Sequence, residues 1–278
     1  MTRITSTSNP RISKLHDLHT TRGRKKSGLF LMEGPHLLEA LLDAGIMPRE
    51  IYYQPELLQR TAKGRSLLAR LLHTPSLNEE QLIEVNERVI ESLGEAQTSQ
   101  GVISVLPLDS LDPELLRTKR APAQRPVLLI LDDLADPGNM GTILRTALAA
   151  NVDEVLLTSN CADYLSPKVV RAAAGAHVAL PVRADLSWEA IAERAIEHCG
   201  GEVRVLLAEA GSPFVYFEQD LTKPFALIIG SEAHGPSKEA RTLATRTVSI
   251  PLANGVESLN AAMAAGVILF EAVRQQGS

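Results

Sequence analysis

The sequence predicts an α/β fold in two parts: a C-terminal domain built on a parallel sheet, and a smaller α/β domain before it. Apolar runs that fit strands alternate with runs that fit amphipathic helices over most of the 278 residues. The run PVLLILDDL is almost wholly apolar, which is typical of a strand buried on both faces of a parallel sheet. Apolar residues make up 45% of the chain but aromatic ones only 4%, so we expect aliphatic cores, as in other α/β folds.

The first 28 residues are strongly basic. They hold seven Lys/Arg and one acid, a net charge of +6, whereas the whole chain carries −5 and the remainder therefore −11. An apolar rhythm after Asn9-Pro10 predicts a short amphipathic helix, followed by a flexible basic turn, TRGRKKSG. We interpret residues 1–28 as a basic arm that binds a polyanion, with a solvated tail as an equal alternative. A mitochondrial transit peptide ranks lower, because the helix leads straight into a folded strand.

Residues 29–106 predict a compact α/β domain. Its strands are expected in FLMEG, EIYYQ and QGVISVLPL, and its helices in PHLLEALLDAG, from Pro55 to Leu72, and in NEEQLIEVNERV with Asn78 as the cap. Residues 107–125 contain four prolines and a basic cluster, and we interpret them as a linker.

Residues 126–278 predict the parallel-sheet domain, because strands and helices alternate strictly along them. The strands are expected in PVLLILDDL, EVLLT, VALPV, RVLLAEA, FALIIG and RTVSIP. The helices are expected at Met140–Asn151, around Pro167–Ala174, and at Trp188–Cys199, Pro236–Ala244 and Leu259–Val273.

The composition disfavours membrane and metal-binding proteins. No apolar run approaches the roughly 18 residues that a membrane helix needs, and no signal-peptide pattern opens the chain. Cys161 and Cys199 have neither metal-type spacing nor a redox motif. We therefore expect a cytoplasmic protein that binds no metal.

Three strand-to-helix turns of the second domain combine glycines with polar side chains. Loops at the carboxyl ends of strands are where open α/β sheets bind ligands, and none of the three matches a dinucleotide fingerprint or a P-loop. In the last turn Asn254-Gly255 is expected to reverse the chain, and Ser258 and Asn260 to cap the final helix. This helix is rich in Ala and Gly, as a buried interface requires. The turns are DDLADPGNMGTILRTA (132–147), IIGSEAHGP (228–236) and IPLANGVESLN (250–260).

These three stretches, with the intervening SPKVVRAAAGAHVALPV, strongly resemble the SpoU (TrmH-like) branch of the SPOUT methyltransferases. The resemblance covers residues 126–275. ITSTSNPRISKL, GLFLMEG and QGVISV are similar, more loosely, to the substrate-binding domain of rRNA-modifying members. The resemblance implies S-adenosylmethionine-dependent methylation of a ribose 2′-hydroxyl in RNA. It also implies a SPOUT domain with a deep trefoil knot, an α/β sandwich that binds RNA before it, and a homodimer built partly on the last helix.

The resemblance also implies the positions of the site. The family's functional positions fall on Asn139, Arg145, Glu232, Ser258 and Asn260. The cofactor is expected against Ala208, Glu209, Gly211, Ile229, Gly230, Ile250, Leu252, Ser258 and Leu259. One position departs, because many relatives have Ser where this chain has Ala173. Helix packing explains that Ser as easily as catalysis does, so we give the departure little weight.

A proposal attached to this family makes the arginine that matches Arg145 the general base. The pKa of a guanidinium is near 13, so deprotonation at pH 7 would cost roughly 8 kcal/mol. We prefer Arg145 as a cation that anchors a substrate phosphate and stabilises the developing alkoxide. Arg145 follows Asn139 by one to two helical turns, so both can face the same cleft, and Asn139 also fits an N-cap. Glu232 either shapes its loop or contacts substrate.

Three functions compete at this point. Ribosomal RNA ranks ahead of tRNA as the substrate, because tRNA-specific relatives more often carry short terminal helices in place of a separate N-terminal domain. Antibiotic-resistance rRNA methyltransferases share the N-terminal pattern and stay open. A catalytically inactive RNA-binding or assembly factor is disfavoured, because the expected residue stands at all five functional positions.

Overall fold

The computed structural model describes residues 2–74, 77–78, 80–94, 98–120, 126–199, 204–231 and 234–277. Contacts between residues divide the chain into two compact units. The first holds the residues up to Asp112 together with Leu165–Val178, and the second holds Pro113–Tyr164 together with Ala179–Ser278. Within the described ranges, no helix is long and apolar enough to cross a membrane.

The elements before residue 120 alternate between short strands and short helices. The strands are β1 (Thr2–Ile4), β2 (Leu29–Glu33), β3 (Glu50–Tyr53), β4 (Leu82–Val85) and β5 (Val102–Pro107). The helices are α1 (Pro10–His16), α2 (Thr21–Ser27), α3 (Pro35–Asp43), α4 (Pro55–Gln59), α5 (Ala62–His73), α6 (Glu87–Leu93) and α7 (Pro113–Thr118).

The elements after residue 126 follow the alternation that the sequence predicts, but the strand expected in VALPV (178–182) begins only at Val182, after a 3₁₀ turn at Ala176–Val178. The strands are β6 (Val127–Leu131), β7 (Glu154–Thr158), β8 (Val182–Leu186), β9 (Val205–Ala208), β10 (Phe225–Ile229) and β11 (Arg246–Val248). The helices are α8 (Pro137–Ala149), α9 (Pro167–Ala172), α10 (Trp188–His198), α11 (Lys238–Leu243) and α12 (Ala261–Gln276).

The first unit is built on a mixed five-stranded sheet with the order β1-β4-β3-β5-β2. β1 and β3 run parallel to β4, whereas β5 runs antiparallel to β2 and β3. Ile12, Leu15 and Leu18 share an apolar core with Tyr52 and Ile83. The first 28 residues are therefore a structural part of this unit, since they supply both an edge strand and core side chains.

The sequence predicts a flexible basic turn after α1. This prediction is wrong, because residues 21–27 form helix α2. Thr20 caps this helix by accepting a hydrogen bond from the Gly23 N–H at 3.0 Å, and Gly28 ends it with a left-handed φ of 68°. Arg24 on this helix is 3% exposed and donates to the carbonyl of Leu18 at 2.7 Å. One of the seven basic side chains thus stabilises the fold directly.

The stretch NEEQLIEVNERV contains a strand and a separate helix where the sequence predicts one helix capped by Asn78. β4 occupies Leu82–Val85 and pairs with strands on both sides, and α6 begins only at Glu87. Asn86 is its cap and accepts from the Val89 N–H at 3.0 Å. A strand of four residues, LIEV, is too short for its periodicity to distinguish strand from helix, so the sequence prediction fails here.

Two further boundaries differ from prediction. The helix expected from Pro55 to Leu72 is divided into α4 and α5, and Thr61 caps α5 by accepting from the Gly64 N–H at 2.9 Å. The stretch interpreted as a linker holds the end of β5, a 3₁₀ turn at Leu108–Leu111 and helix α7. Residues 121–125 of that stretch lie outside the described ranges.

The second unit is built on a six-stranded sheet with the order β11-β9-β10-β6-β7-β8, in which every pairing is parallel. This confirms the predicted parallel sheet. All residues of β6, β7 and β10 are buried, as their unbroken apolar runs require. Helix α12 packs against α8, and a Cβ at Gly266 would make ordinary van der Waals contact with Thr146 Cγ2 at 3.6 Å. The trefoil knot stays a prediction.

Helix α9 groups with the first unit, although the sequence places it inside the domain 126–278. Its residues Val169 and Val170 are buried, and a Cβ at Gly175 would lie 3.5 Å from Leu37 of α3. Ala173, the position where many relatives have Ser, is 1% exposed. A packing role accounts for the small residue there.

Candidate functional site

A cavity of about 860 Å³ lies at the carboxyl ends of the strands in the second unit. The three turns that the sequence singles out all contribute to its lining. This is the edge of a parallel α/β sheet where ligands bind. Ten of the predicted site residues line the cavity: Asn139, Ala208, Glu209, Ile229, Gly230, Ile250, Leu252, Ser258, Leu259 and Asn260.

Three predicted site residues are not among these. Gly211 and Arg145 do not line the cavity, and Glu232 lies outside the described residues. Arg145 is exposed on α8. Six residues along an α-helix turn through about 600°, which leaves its side chain about 120° from that of Asn139. Within one chain Arg145 thus does not line the cavity that Asn139 lines, and its place in the site stays a prediction.

The sequence reasoning missed the other half of the lining. Asp136 had a clear signal, because an Asp directly before a proline at the first helical position is a standard cap. Arg241 had none, since it is one of two cations on a short polar helix. The missed residues are Asp136, Ala210, Ser231, Gly235, Pro236, Arg241, Val248, Ala261, Ala264 and Ile268.

Helices α8 and α12 both begin at the cavity. A hydrogen bond joins Asn139, in the first turn of α8, to Asn260, the cap of α12. The Asn260 Nδ2 donates to Asn139 Oδ1 at 2.9 Å. Asn260 Oδ1 also caps α12, accepting from the N–H groups of Ala262 at 3.0 Å and Met263 at 3.3 Å. Both amide ends of Asn260 are thus used, and the side chain of Asn139 is fixed from a position 121 residues further along the chain.

These contacts correct two predicted caps. Asn139 lies inside the first turn of α8, and the cap is Asp136, whose Oδ1 accepts from the Asn139 N–H at 2.7 Å. Asn260 caps α12 as predicted, whereas Ser258 lies two residues before it, in an exposed loop. The side chain of Ser258 is therefore not used in capping the helix. In the same loop, Asn254 and Gly255 have φ values of 58° and 72°, as the predicted chain reversal requires.

The second turn is folded back tightly on itself. A Cβ at Gly230 would lie 2.8 Å from backbone atoms of Pro236, so only glycine fits there. The Ser237 N–H at the end of the turn donates to Asp132 Oδ2 at 2.7 Å, and the Asp132 N–H donates to the Ile229 carbonyl at 2.9 Å. Asp132 therefore anchors one wall of the cavity to the end of β6.

Asp132 is 1% exposed, and burial raises the pKa of its carboxyl group, while the hydrogen bonds from Ser237 lower it. Its Oδ1 has no hydrogen-bond partner among the described residues. Burying a carboxylate oxygen without a partner costs stability, so this residue destabilises the fold when it is ionised.

An ion pair stands at the cavity. Arg241 Nη1 on α11 contacts Glu209 Oε1, which directly follows β9. The backbone of Glu209 is fixed, because its N–H donates to the Val248 carbonyl at 2.9 Å. The two side chains are 48% and 26% exposed, so solvent reaches the pair.

A parallel α/β domain with a cavity at the carboxyl edge of its sheet has the architecture of a ligand-binding α/β protein. Comparison with known proteins identifies the family. Residues 126–270 match the SpoU rRNA methylase family, and residues 9–104 match the MRM3-like substrate-binding domain. The chain belongs to the SpoU rRNA methylase family. This confirms the resemblance drawn from the three turns.

Individual relatives agree with this assignment. An uncharacterized tRNA/rRNA methyltransferase of Synechocystis sp. is 36% identical, over 98% of this chain and 94% of the relative. The 23S rRNA (guanosine(2553)-2′-O)-methyltransferase RlmP of Bacillus subtilis is 30% identical, over 97% of this chain and 98% of its own. The crystal structure of the SpoU methyltransferase AviRb from Streptomyces viridochromogenes, with AdoMet, matches at a TM-score of 0.80 and 28% identity, over 96% of this chain and 99% of AviRb.

Asp132→Asn should stabilise the protein at neutral pH. The folded state holds the proton of Asp132 more tightly than the unfolded state, so ionisation penalises folding increasingly as the pH rises above the unfolded pKa of about 3.9. Asn keeps an oxygen for the Ser237 N–H and cannot ionise. We expect a higher Tm at pH 7, by about 2–4 °C for each kcal/mol gained.

The advantage of Asp132→Asn should disappear as the pH falls toward 4. Asp132→Ala is the control and should lower the Tm at every pH, because it leaves the Ser237 N–H without its acceptor. Thermal unfolding of the three proteins between pH 4 and 8 measures this. A lower Tm for Asp132→Asn at pH 7 would show that the charge itself stabilises the loop.

Proposed function

We propose that this chain transfers the methyl group of S-adenosylmethionine to the 2′-hydroxyl of a ribose in ribosomal RNA, in the cytoplasm and as a homodimer. One observation carries the proposal: in a member of the SpoU family, ten predicted site residues converge on one cavity, eight of them from three distant turns and two from the end of β9. The name of the Bacillus subtilis relative supports ribose 2′-O-methylation of ribosomal RNA.

The residues at the cavity fit S-adenosylmethionine. About 860 Å³ is enough for a ligand of this size. Ile229, Ile250 and Leu259 supply apolar walls for an adenosine, and the charged side chains of Asp136, Glu209 and Arg241 suit the polar amino-acid end. The AviRb structure holds AdoMet in the same fold.

When bound, this cofactor supplies a methyl group already activated on a sulfonium. The remaining task of the protein is to orient the ribose hydroxyl and to stabilise the negative charge that develops on its oxygen. We assign orientation to the bonded pair Asn139 and Asn260, whose amide groups are fixed at the cavity by the cap of α12. Ser258 contributes a hydroxyl from the adjoining exposed loop, and Glu232 completes the proposed set.

Arg145 acts from outside the cavity of its own chain. Its exposed guanidinium suits an RNA phosphate, which it can bind with two parallel hydrogen bonds. A cation placed against the substrate also favours the alkoxide electrostatically. The proton then leaves to a phosphate or to water, because a guanidinium is too weak an acid to lose its own proton and serve as a base at pH 7.

The homodimer is supported by an apolar face on the last helix. Met263, Phe270 and Val273 of α12 are 60%, 49% and 37% exposed. Met263 and Phe270 are seven residues apart and therefore lie on one face of the helix. A second copy of the chain covers this face in the proposed assembly.

The test of the proposed function is a map of 2′-O-methylated riboses in total RNA from cells with and without the protein. Loss of methylation at a ribose in ribosomal RNA, restored by the wild-type gene, is expected. An unchanged map, or a change confined to tRNA, would contradict the proposal.

Replacing Arg145 tests whether this residue acts as a cation or as a general base. Arg145→Lys keeps the charge but loses the planar two-pronged donor, and Lys is easier to deprotonate, with a pKa near 10.4. If Arg145 is an oriented cation, Lys should lose most of the activity without shifting the pH profile, and Ala should lose more. The measurement is single-turnover methylation of RNA against pH, with S-adenosylmethionine affinity as the control. A Lys variant near the wild-type rate, with its profile moved to lower pH, would favour the base.

The assembly can be tested by light scattering. The wild-type protein should give about twice the 30.1 kDa of one chain at micromolar concentration. Phe270→Glu places a charge on the apolar face of α12 and should halve that mass. Ile196→Glu changes an equally exposed apolar residue on α10, which is 46% exposed, and should leave the mass unchanged. A monomeric wild-type protein would exclude the homodimer.

The basic surface is tested by substitution and not by deletion, because residues 2–28 supply an edge strand and core side chains of the first unit. Lys14, Arg22 and Lys26 are exposed, and replacing them with Ala should weaken RNA binding. It should also lower the slope of log affinity against log salt by roughly 0.7–0.9 for each phosphate that the protein then fails to neutralise. The control replaces Arg60, Lys63 and Arg70, which are paired with Glu87, Glu39 and Asp43. Equal effects of the two triple variants would remove α1 and α2 from the RNA surface.

A further inference from the structure

The charged residues of the cavity mirror the charges of the cofactor. The described lining contains two carboxylates, Asp136 and Glu209, and one cation, Arg241. S-adenosylmethionine carries two cationic groups, the sulfonium and the ammonium, and one carboxylate. Opposite charges in equal numbers favour a ligand with this charge pattern over a neutral nucleoside.

Resting on the function proposed above, we infer that Arg241 binds the carboxylate of the methionine moiety and so makes the cavity specific for a nucleoside with an amino-acid end. Arg241 is the cation among the described lining residues, and the carboxylate is the single anionic group of the cofactor. A guanidinium presents two parallel N–H groups that match the two oxygens of a carboxylate.

The partner of Arg241 in the structure supports this role. Its guanidinium already binds a carboxylate, that of Glu209, so the direction of the side chain suits a carboxylate at the cavity. Arg241 is 48% exposed, and an ion pair so open to solvent is only weakly held. A ligand carboxylate can therefore replace Glu209 on Arg241, and the freed Glu209 is then available to the ligand ammonium.

The position of Arg241 in the fold keeps its backbone in place. Ser237 caps α11 by accepting from the Ala240 N–H at 3.0 Å, and the Arg241 N–H donates to the Ser237 carbonyl at 3.2 Å. Ser237 is in turn held by buried Asp132. The cation thus stands on a helix whose first turn is fixed to the end of a central strand.

The test compares S-adenosylmethionine with decarboxylated S-adenosylmethionine, which differs from it by the carboxylate alone. Calorimetric titration of the full-length protein gives both affinities without any need for turnover. We expect the wild-type protein to prefer S-adenosylmethionine by roughly 10- to 100-fold, as for a hydrogen bond to a charged group. Arg241→Ala should lose that preference through weaker binding of S-adenosylmethionine, with little change for the decarboxylated ligand. Arg241→Lys should keep part of it.

Lys238→Ala is the matched control. Lys238 is an exposed cation on the same helix and does not line the cavity, so this variant loses the same charge and should keep the full preference. Circular dichroism of each variant checks that the fold is intact.

Three results for Arg241→Ala would overturn the inference. Unchanged affinities for both ligands and for RNA would show that another group binds the carboxylate, and equal losses for both ligands would assign Arg241 to the shape of the cavity. Weaker RNA binding with both ligand affinities unchanged would assign Arg241 to the substrate instead. If the wild-type protein binds neither ligand, the proposed function itself fails, and that outcome is distinct from these.

Discussion

Parallel pairing of the buried strands β9, β10 and β6 is the constraint on which the site depends. Residues Ala226–Ile229 pair with Val205–Ala208 on one side and Leu128–Leu131 on the other, so the three strands end level. Their loops therefore emerge at one edge, although they come from distant parts of the chain. The cavity lies at this edge, between the loops and the first turns of α8 and α12.

The parallel sheet could be predicted because burial on both faces demands apolar runs, and such runs are visible in the sequence. The capping residues could be assigned only in part. Asn260 caps α12 as predicted, but Ser258 does not, and the cap of α8 is Asp136 and not the predicted Asn139. Local preference does not decide between polar residues so close in the sequence. The side chain of Asn260 is placed by a bond to Asn139, which is a contact that spans the fold.

The other errors share this cause. β4 is a strand because β1 and β3 lie on either side of it, and its own four residues carry no periodic signal. Helix α9 belongs by contact to the first unit, which sequence order does not reveal. For Arg145 the motif identifies the position in the chain but not the direction of the side chain. Its exposed place on α8 puts it outside the lining of the cavity. Motifs thus locate functional residues along the chain better than they locate them in space.

The places where the chain departs from good folding rules are concentrated at the cavity edge. Asp132 is a buried carboxylate with a raised pKa, and the next residue, Asp133, has a left-handed φ of 53°. Asp133 is held there by Thr158, whose hydroxyl accepts from its N–H and donates to its side chain, each at 2.9 Å. Two apolar residues in place of Asp132 and Asp133 would end strand β6 without burying a charge. Such costs persist where surrounding contacts enforce them for a functional reason. Here the enforced contacts fix Ser237 to the end of β6 and pack Gly230 against Pro236, so the described ends of the second turn are held at the cavity edge at a cost in stability.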